Sequence, residues 1–306
     1  MKNKIKILVP VYNEEKNINL FYNHLLKYIK KLTNYNFKTI FIVDKSLDET
    51  EKKVINLCRK YKEVGAIILS RRYGHQASLL AGINKSLDAD AVIMMDGDLQ
   101  HPPNVIGQFL KKYEKGYDIV NTVRLEVKKN FIRNIFNKIF YSLFRIFSGY
   151  KLNNNSADFR LVSKKISKLI SYNFKEKNIF LRGVISSLGF KQCSIEFYPK
   201  KRNFGETKYT FIKNLKFAFS ALFSYSSKPL YISFVILFFF ILLNFLSFLL
   251  ILFFGSSKLF IFLIFVSTFL VFFVFTIYLG LIGIYIGSLM EEIKDRPNYI
   301  IEKILN

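Results

Sequence analysis

Between Pro229 and Met290 the chain carries a single charged residue, Lys258. The small polar break Gly255-Ser256-Ser257-Lys258 divides this tract in two. Each half exceeds the roughly 20 apolar residues that cross a bilayer. Such a tract either forms the buried core of a globule or sits in lipid. Two long, nearly uncharged runs favour lipid, as a two-helix transmembrane hairpin at about 230–254 and 259–288. Gly280, Gly283 and Gly287 in the second run would let helices approach closely, within the hairpin or between protomers, so a homo-oligomer stays open.

Flanking charge sets the expected topology. Lys213, Lys216 and Lys228 precede the first run, and Lys294 and Arg296 follow the second. The positive-inside rule puts both ends in the cytoplasm. The apolar run at 5–11 is too short for a signal peptide, and Asn13-Glu14-Glu15 ends it, so the amino-terminal domain is expected to stay cytoplasmic. The expectation is a multi-pass protein of the inner (cytoplasmic) membrane with a cytoplasmic domain at 1–228, the hairpin at 229–290 and a cytoplasmic tail at 291–306. The formal charge of +24 fits an anionic membrane surface and its lipids. No zinc-finger, RRM or helix-turn-helix signature points to nucleic acid. Phe131, Ile135, Phe136, Ile139 and Leu143 form an apolar stripe at helical spacing, flanked by Lys128, Arg133, Lys138 and Arg145. That pattern suits an amphipathic juxtamembrane helix near 130–148, with a second near 210–226. Packing of either on the domain core is the alternative. Cys58 and Cys193 have no metal-type spacing.

The first 125 residues alternate apolar runs with helical periodicity. Strands are expected at 4–10, 38–44, 65–70, 90–96 and 118–122. Helices are expected at 14–32, 48–61, 76–87 and 105–114, with Asp48 capping the second. This is an α/β domain with a mainly parallel, Rossmann-like sheet. Ligands of such sheets bind at the carboxyl ends of strands. There lie Pro10 to Glu14 (with Tyr12), Asp44, Arg71 and Arg72, and Asp96 to Gln100. Four loops converge on one edge.

Asp96-Gly97-Asp98 ends the fourth strand. Residues i and i+2 of a strand share a face, so both carboxylates can address one object. Adjacent like charges repel, and a divalent cation relieves that repulsion. Gln100 can add a neutral oxygen, and hard oxygen ligands suit Mg²⁺ or Mn²⁺. A metal with few protein ligands shares its shell with phosphates. Arg124, after the fifth strand, suits bidentate phosphate contact.

Four blocks, Val9-Pro10-Val11-Tyr12-Asn13-Glu14, Val43-Asp44, Ser70-Arg71-Arg72-Tyr73-Gly74-His75-Gln76 and Asp96-Gly97-Asp98-Leu99-Gln100-His101-Pro102-Pro103, resemble the family 2 glycosyltransferases of the GT-A fold. With Asp158-Phe159-Arg160-Leu161, Phe180-Leu181-Arg182-Gly183 and Arg202-Asn203-Phe204-Gly205-Glu206-Thr207-Lys208-Tyr209, the chain is similar to the polyprenyl-phosphate hexosyltransferases, among them bactoprenol glucosyltransferases and dolichyl-phosphate mannose synthases. The resemblance implies inverting transfer of a hexose from a nucleotide sugar to a polyprenyl phosphate. It favours Asp98 and Gln100 as metal ligands, with Asp96 beside the sugar or ribose. It makes Asp44 a candidate partner of the base. One departure matters: the usual Asp-Asp-Gly-Ser reads Val43-Asp44-Lys45-Ser46 here, which leaves the nucleotide preference open.

A polyprenyl phosphate is already anionic near neutral pH and needs positioning more than a base. Arg160, Arg202 and Lys208 suit its phosphate, with Arg133 and Lys138 behind them. Asp158 would act as base, orient an arginine, or cap a helix over 160–170. UDP-glucose with undecaprenyl phosphate is the leading expectation, and GDP-mannose is the runner-up donor. A non-catalytic membrane nucleotide-binding regulator is the third reading. A processive polysaccharide synthase would need a QxxRW segment, and the chain has no Trp.

Overall fold

A computed structural model describes residues 2–125, 142, 146, 156–177, 179–200, 226–254 and 258–305. Apart from Ser142, Ile146 and Ser226, the amphipathic segments expected near 130–148 and 210–226 lie outside the described residues, and so do Arg133, Lys138, Arg202 and Lys208. The chain divides into two compact units, a sheet unit and a unit holding the two long apolar helices.

The sheet unit runs β1 (Asn3–Val11), α1 (Ile18–Ile29), β2 (Tyr35–Val43), α2 (Thr50–Lys60), β3 (Val64–Leu69), α3 (His75–Asn84), β4 (Ala91–Met94), α4 (Val105–Glu114), β5 (Ile119–Arg124), β6 (Ser156–Ser163), α5 (Lys164–Asn173), α6 (Leu181–Ser187), β7 (Gln192–Phe197) and β8 (Ile301–Leu305). Its described strands form one sheet in the order β7-β5-β6-β4-β1-β2-β3-β8. All run parallel except β6 and β8. The apolar runs of β1, β3 and β4 are continuous because both faces are covered. Ile5, Ile7 and Val9 join Phe21, Leu25, Val54 and Phe109 in a core under α1, α2 and α4. On the other face α3 lies close to the sheet. A Cβ on Gly82 would come within 3.0 Å of the Leu8 and Ile42 side chains. Strand order reverses between β1 and β4, which opens a crevice at their carboxyl ends.

Three elements differ from expectation. The first helix begins at Ile18, so residues 12–17 stay a loop whose turn is closed by Asn17 and Ile18 N–H groups donating to the Glu14 carbonyl at 2.8 and 3.2 Å. The helix expected over 160–170 is instead β6 followed by α5, so Asp158 is a strand residue and caps nothing. Antiparallel pairing of β6 between β4 and β5 outweighs the helical spacing that begins inside it. The segment read as a tail contributes β8, which pairs antiparallel with β3 at the sheet edge.

In the second unit α7 (Lys228–Phe254) and α8 (Lys258–Ile293) contain 27 and 36 residues. At 1.5 Å per residue they span about 40 and 54 Å, more than a hydrocarbon core of about 30 Å. Both are long and apolar enough to cross a membrane. Their aromatic side chains face outward, Phe253 at 81% exposure and Phe265 at 72%. Asn244 Nδ2 on α7 donates to Ser267 Oγ and Thr268 Oγ1 on α8, both at 2.9 Å, which fixes their register. Gly280, Gly283 and Gly287 do not serve a close approach within the hairpin. Among the described residues nothing lies within 4 Å of a Cβ built on any of them.

Candidate functional site

The site is assembled at the carboxyl edge of the sheet. Val11 pairs with Val43 and Leu8 with Met94, so the loops after β1, β2 and β4 emerge side by side. Antiparallel β6 pairs Arg160 with Met94. Its earlier residues therefore arrive at the same edge, and Asp158 reaches the neighbourhood of Asp96.

The β1 and β2 loops are stitched together. Asn13 N–H donates to Ser46 Oγ at 3.1 Å, and Asn13 Oδ1 accepts from Leu47 N–H at 2.8 Å. Glu14 N–H donates to Thr50 Oγ1 at 2.8 Å, and Glu14 Oε2 accepts from Asn17 Nδ2 at 2.6 Å. Asp48 Oδ1 accepts from Thr50 N–H at 3.0 Å, but it lies one residue before the N-cap of α2, which is Glu49 and not Asp48 as expected. Pro10 is buried at the end of β1, with Tyr12 half-buried beyond it. The Arg72 guanidinium lies 4.1 Å from the Tyr12 ring centroid, and Arg71 lies 4.5 Å from that of Tyr73.

Asp44, 3% exposed, is committed to the chain itself. Its two carboxylate oxygens accept from Tyr73 N–H at 2.7 Å and Gly74 N–H at 2.8 Å. Gly74 has φ +94° and ψ 166°, a region open to glycine alone. Asp44 thus holds the turn that launches α3 and aims its first residue, His75. Lys45, at the position where a glycine was expected, is exposed and pairs with Glu302 of β8 at 3.1 Å.

The turn after β4 is tight. A Cβ on Gly97 would lie 3.0 Å from Val11 Cγ1 and 3.3 Å from Val9 Cγ1. Leu99 adopts φ +66°, a conformation that costs a non-glycine residue about 1–3 kcal/mol. Asp98 Oδ1 accepts from Gln100 N–H at 3.1 Å, closing the turn. Arg124 donates from an Nη to Gln100 Oε1 at 3.3 Å, so the structure brings this arginine to the acidic turn.

Asp96 lies between two imidazoles. His75 Nε2 is 2.9 Å from Oδ1, and His101 Nε2 is 3.7 Å from Oδ2. Burial opposes the charge of Asp96, but His101 and His75 outweigh it and hold the carboxyl below the usual carboxylate range. Burial also opposes the His75 imidazolium. The hydrogen bond and charge of Asp96, with the charge of Asp158, reverse this and raise its pKa. Burial keeps His101 below the ordinary histidine value.

Asp158 and Arg160 differ from their expected surroundings. Arg160 is 1% exposed, and one Nη donates to Asp158 Oδ1 at 2.8 Å and to the Ala157 carbonyl at 3.1 Å. Arg182 reaches Asp158 Oδ2 at 3.2 Å. Burial works against the Asp158 carboxylate, but Arg182, Arg160 and His75 drive its pKa well down. Burial lowers Arg160 to about 10 against the opposing charge of Asp158. Arg160 is therefore an internal partner of Asp158 through one Nη, while its other Nη has no hydrogen-bond partner among the described residues.

Asp96, Asp98 and Gln100 present oxygen atoms from one turn, the donor type that suits Mg²⁺ or Mn²⁺. Among the described residues no group of three His, Cys, Asp or Glu side chains could hold a metal ion. The turn fits an ion that completes its shell with oxygens from a ligand. His75, Gln76, His101 and Arg182 were given no role from the sequence. Each stood inside a quoted block, but nothing in local spacing says that these blocks meet.

Residues 6–170 match the family model described as Glycosyl transferase family 2. The chain is 33% identical over 311 residues to the "Uncharacterized glycosyltransferase YkcC" of Bacillus subtilis (strain 168), an alignment covering 97% of this chain and 93% of the relative. It is 32% identical over 312 residues to the "SfII prophage-derived bactoprenol glucosyl transferase" of Shigella flexneri, covering 98% of each. Among solved structures, mannosyl-3-phosphoglycerate synthase from Rubrobacter xylanophilus aligns with a TM-score of 0.51 over 74% of each chain at 11% identity, a likeness of fold.

Proposed function

Because this chain belongs to glycosyl transferase family 2, we propose that it moves a hexose from a nucleotide sugar, glucose from UDP-glucose first among them, onto polyprenyl (undecaprenyl) phosphate with inversion. The observation that carries the reading is the meeting of Tyr12, Asp96, Asp98, Gln100 and Arg124 at the sheet's switch point, with a strained turn at its centre. A full-length relative named for bactoprenol glucosyl transfer and the two long apolar helices support the lipid acceptor.

Asp98 and Gln100 would hold Mg²⁺ or Mn²⁺, which when bound neutralises charge developing on the departing nucleotide diphosphate. Arg124, anchored on Gln100, adds a fixed guanidinium for the same phosphates. Asp96 accepts a hydrogen bond from a donor hydroxyl. Tyr12 and Arg71 flank the base, and Pro10, Glu14 and Asp44 shape its loops. Arg133, Arg202 and Lys208 receive the acceptor phosphate. That phosphate is its own nucleophile, so Asp158 serves by orienting Arg182 and not as a base.

Connectivity supports the proposed topology. The chain leaves the sheet unit before α7 and returns to it at β8 after α8. Such a chain crosses a membrane an even number of times. With Lys213, Lys216, Lys294 and Arg296 flanking the spans, both ends lie in the cytoplasm and transfer occurs at the inner face of the cytoplasmic membrane.

A panel of UDP- and GDP-hexoses with undecaprenyl phosphate, read by mass spectrometry of the lipid product, tests this. A hexosyl phospholipid from UDP-glucose is expected. Product from GDP-mannose alone selects the mannose synthase reading. No lipid product from any donor rejects the function, and transfer undiminished by EDTA rejects the metal.

A further inference from the structure

We infer that His75 is a positioning residue that fixes Asp96 so that one chosen carboxylate oxygen meets a hydroxyl of the donor. The inference rests on the reading above that Asp96 contacts the donor. His75 Nε2 donates to Asp96 Oδ1 at 2.9 Å. Its far side is held as well. Gln76 Oε1 accepts from Leu181 N–H at 3.1 Å, which orients the amide so that Gln76 Nε2 faces His75 Nδ1 at 3.4 Å and Asp158 Oδ2 at 3.4 Å. Asp158 Oδ2 lies 3.9 Å from His75 Nδ1. The imidazole is thus gripped between α3, β6 and the start of α6, with its strongest bond directed at Asp96.

The other carboxylate oxygen has a different neighbour. His101 Nδ1 accepts from the Asp96 backbone N–H at 3.0 Å, which puts the ring proton on Nε2. The ring is 1% exposed, stacked on Phe159 at 4.8 Å and set edge-on to Phe197 at 5.7 Å, so it cannot turn. Among the described residues its Nε2 has no hydrogen-bond partner, and it stands 3.7 Å from Asp96 Oδ2. Oδ1 is engaged by His75, whereas among the described residues Oδ2 accepts no hydrogen bond. Oδ2 is the oxygen left to accept from a ligand hydroxyl. A carboxylate already fixed in this way loses no side-chain freedom when the donor arrives. It is also directed toward a hydroxyl rather than into the shell of a metal, which separates the duty of Asp96 from that of Asp98.

The test is equilibrium binding to the full-length protein in detergent with Mn²⁺ present, by calorimetry. UDP and GDP are compared with their 2′,3′-dideoxyribose forms, and UDP-glucose with deoxyglucose donors. If the hydroxyl belongs to the ribose, the wild type prefers the ribose nucleotide by about tenfold or more, the scale of one hydrogen bond to a charged group. If it belongs to the hexose, the same preference appears only in the deoxyglucose series. In either case His75→Ala binds the full and deoxy ligands alike. His75→Gln, whose amide nitrogen can replace Nε2, regains part of the preference, and half-saturating Mn²⁺ stays unchanged in both variants. Full wild-type preference retained by His75→Ala overturns the inference alone. So does a rise in half-saturating Mn²⁺ as large as that of Asp98→Ala. A wild type that binds no nucleotide overturns the donor reading and the inference together.

Discussion

At the amino edge of the sheet Lys4 and Lys6 share Asp88, Lys6 also donates to the Lys85 carbonyl, and Asp90 accepts from the Lys4 N–H at 2.8 Å. At the carboxyl edge Asp44, Asp96 and Asp158 are held by backbone N–H groups, imidazoles and guanidinia. Both edges use carboxylates and their partners, yet the results differ. The amino edge is a seam that joins β1 to the start of β4. At the carboxyl edge the backbone leaves its ordinary regions. Among the described residues of the sheet unit, the non-glycine positive-φ positions are Asn13 and Leu99, and both lie there. Strain confined to one edge is what the proposed donor site there predicts. Within the carboxyl edge the same contrast recurs, between the turn of Asp96 and Asp98 and the closed Asp158 pair.

Substitution of single carboxylates sharpens that contrast. Asp98→Ala is expected to lower transfer by roughly a thousandfold, about 4 kcal/mol of barrier, because a ligand of the proposed metal is lost. Its thermal unfolding in detergent should fall less than that of Asp158→Ala, since half-buried Asp98 closes its turn through the Gln100 N–H. Asp158→Ala should do the reverse first and lose stability. It would leave the buried Arg160 guanidinium and that of Arg182 without their shared carboxylate, at a cost of about 3–5 kcal/mol. Denaturant titration reads this directly. An Asp158→Ala protein as stable as the wild type would break the distinction between the two carboxylate centres.

The legible part of the molecule was the part with local causes. β1, β3 and β4 are apolar runs bounded by turn residues, and the loops at their carboxyl ends could be named before their geometry was known. β6 was not legible, because Val162, Ile166 and Leu169 continue a helical spacing across the boundary at Ser163 that only pairing with β4 and β5 sets. β8 was hidden for the same reason: five residues beyond a transmembrane-type helix become a strand only when the β3 edge is present. Asp98, Gln100 and Arg124 could be singled out from chemistry and position. The grip of His75 and His101 on Asp96 could not, since it depends on a loop from β3 crossing to the end of β4.

Asp44→Asn probes a smaller difference at the same edge. One amide group would face an N–H of the Tyr73–Gly74 turn without accepting from it, a loss of about 1–3 kcal/mol for this buried position. Because that turn aims His75, weaker donor binding should accompany the lower unfolding midpoint. Lower stability with unchanged donor affinity would make Asp44 part of the seam alone.

The smallest effect belongs to the amino edge. Burial works to raise the Asp88 carboxyl, but hydrogen bonds from Lys4 and Lys6 bring it down to about 2, from 3.8. A depressed carboxyl contributes stability that is fully present above its unfolded value and is lost as pH falls through the folded one. The contribution should therefore be constant above about pH 5 and fade between about pH 4 and 2. Asp88 is half exposed, so solvent screening keeps it under about 1 kcal/mol. Unfolding of wild type and Asp88→Asn, compared from pH 6 to pH 2, should show a small gap that closes on acidification, while transfer near neutral pH is equal in both. A gap that widens toward pH 2 would mean the seam is held by something other than the charge of Asp88, and the two edges would then differ less than their contacts imply.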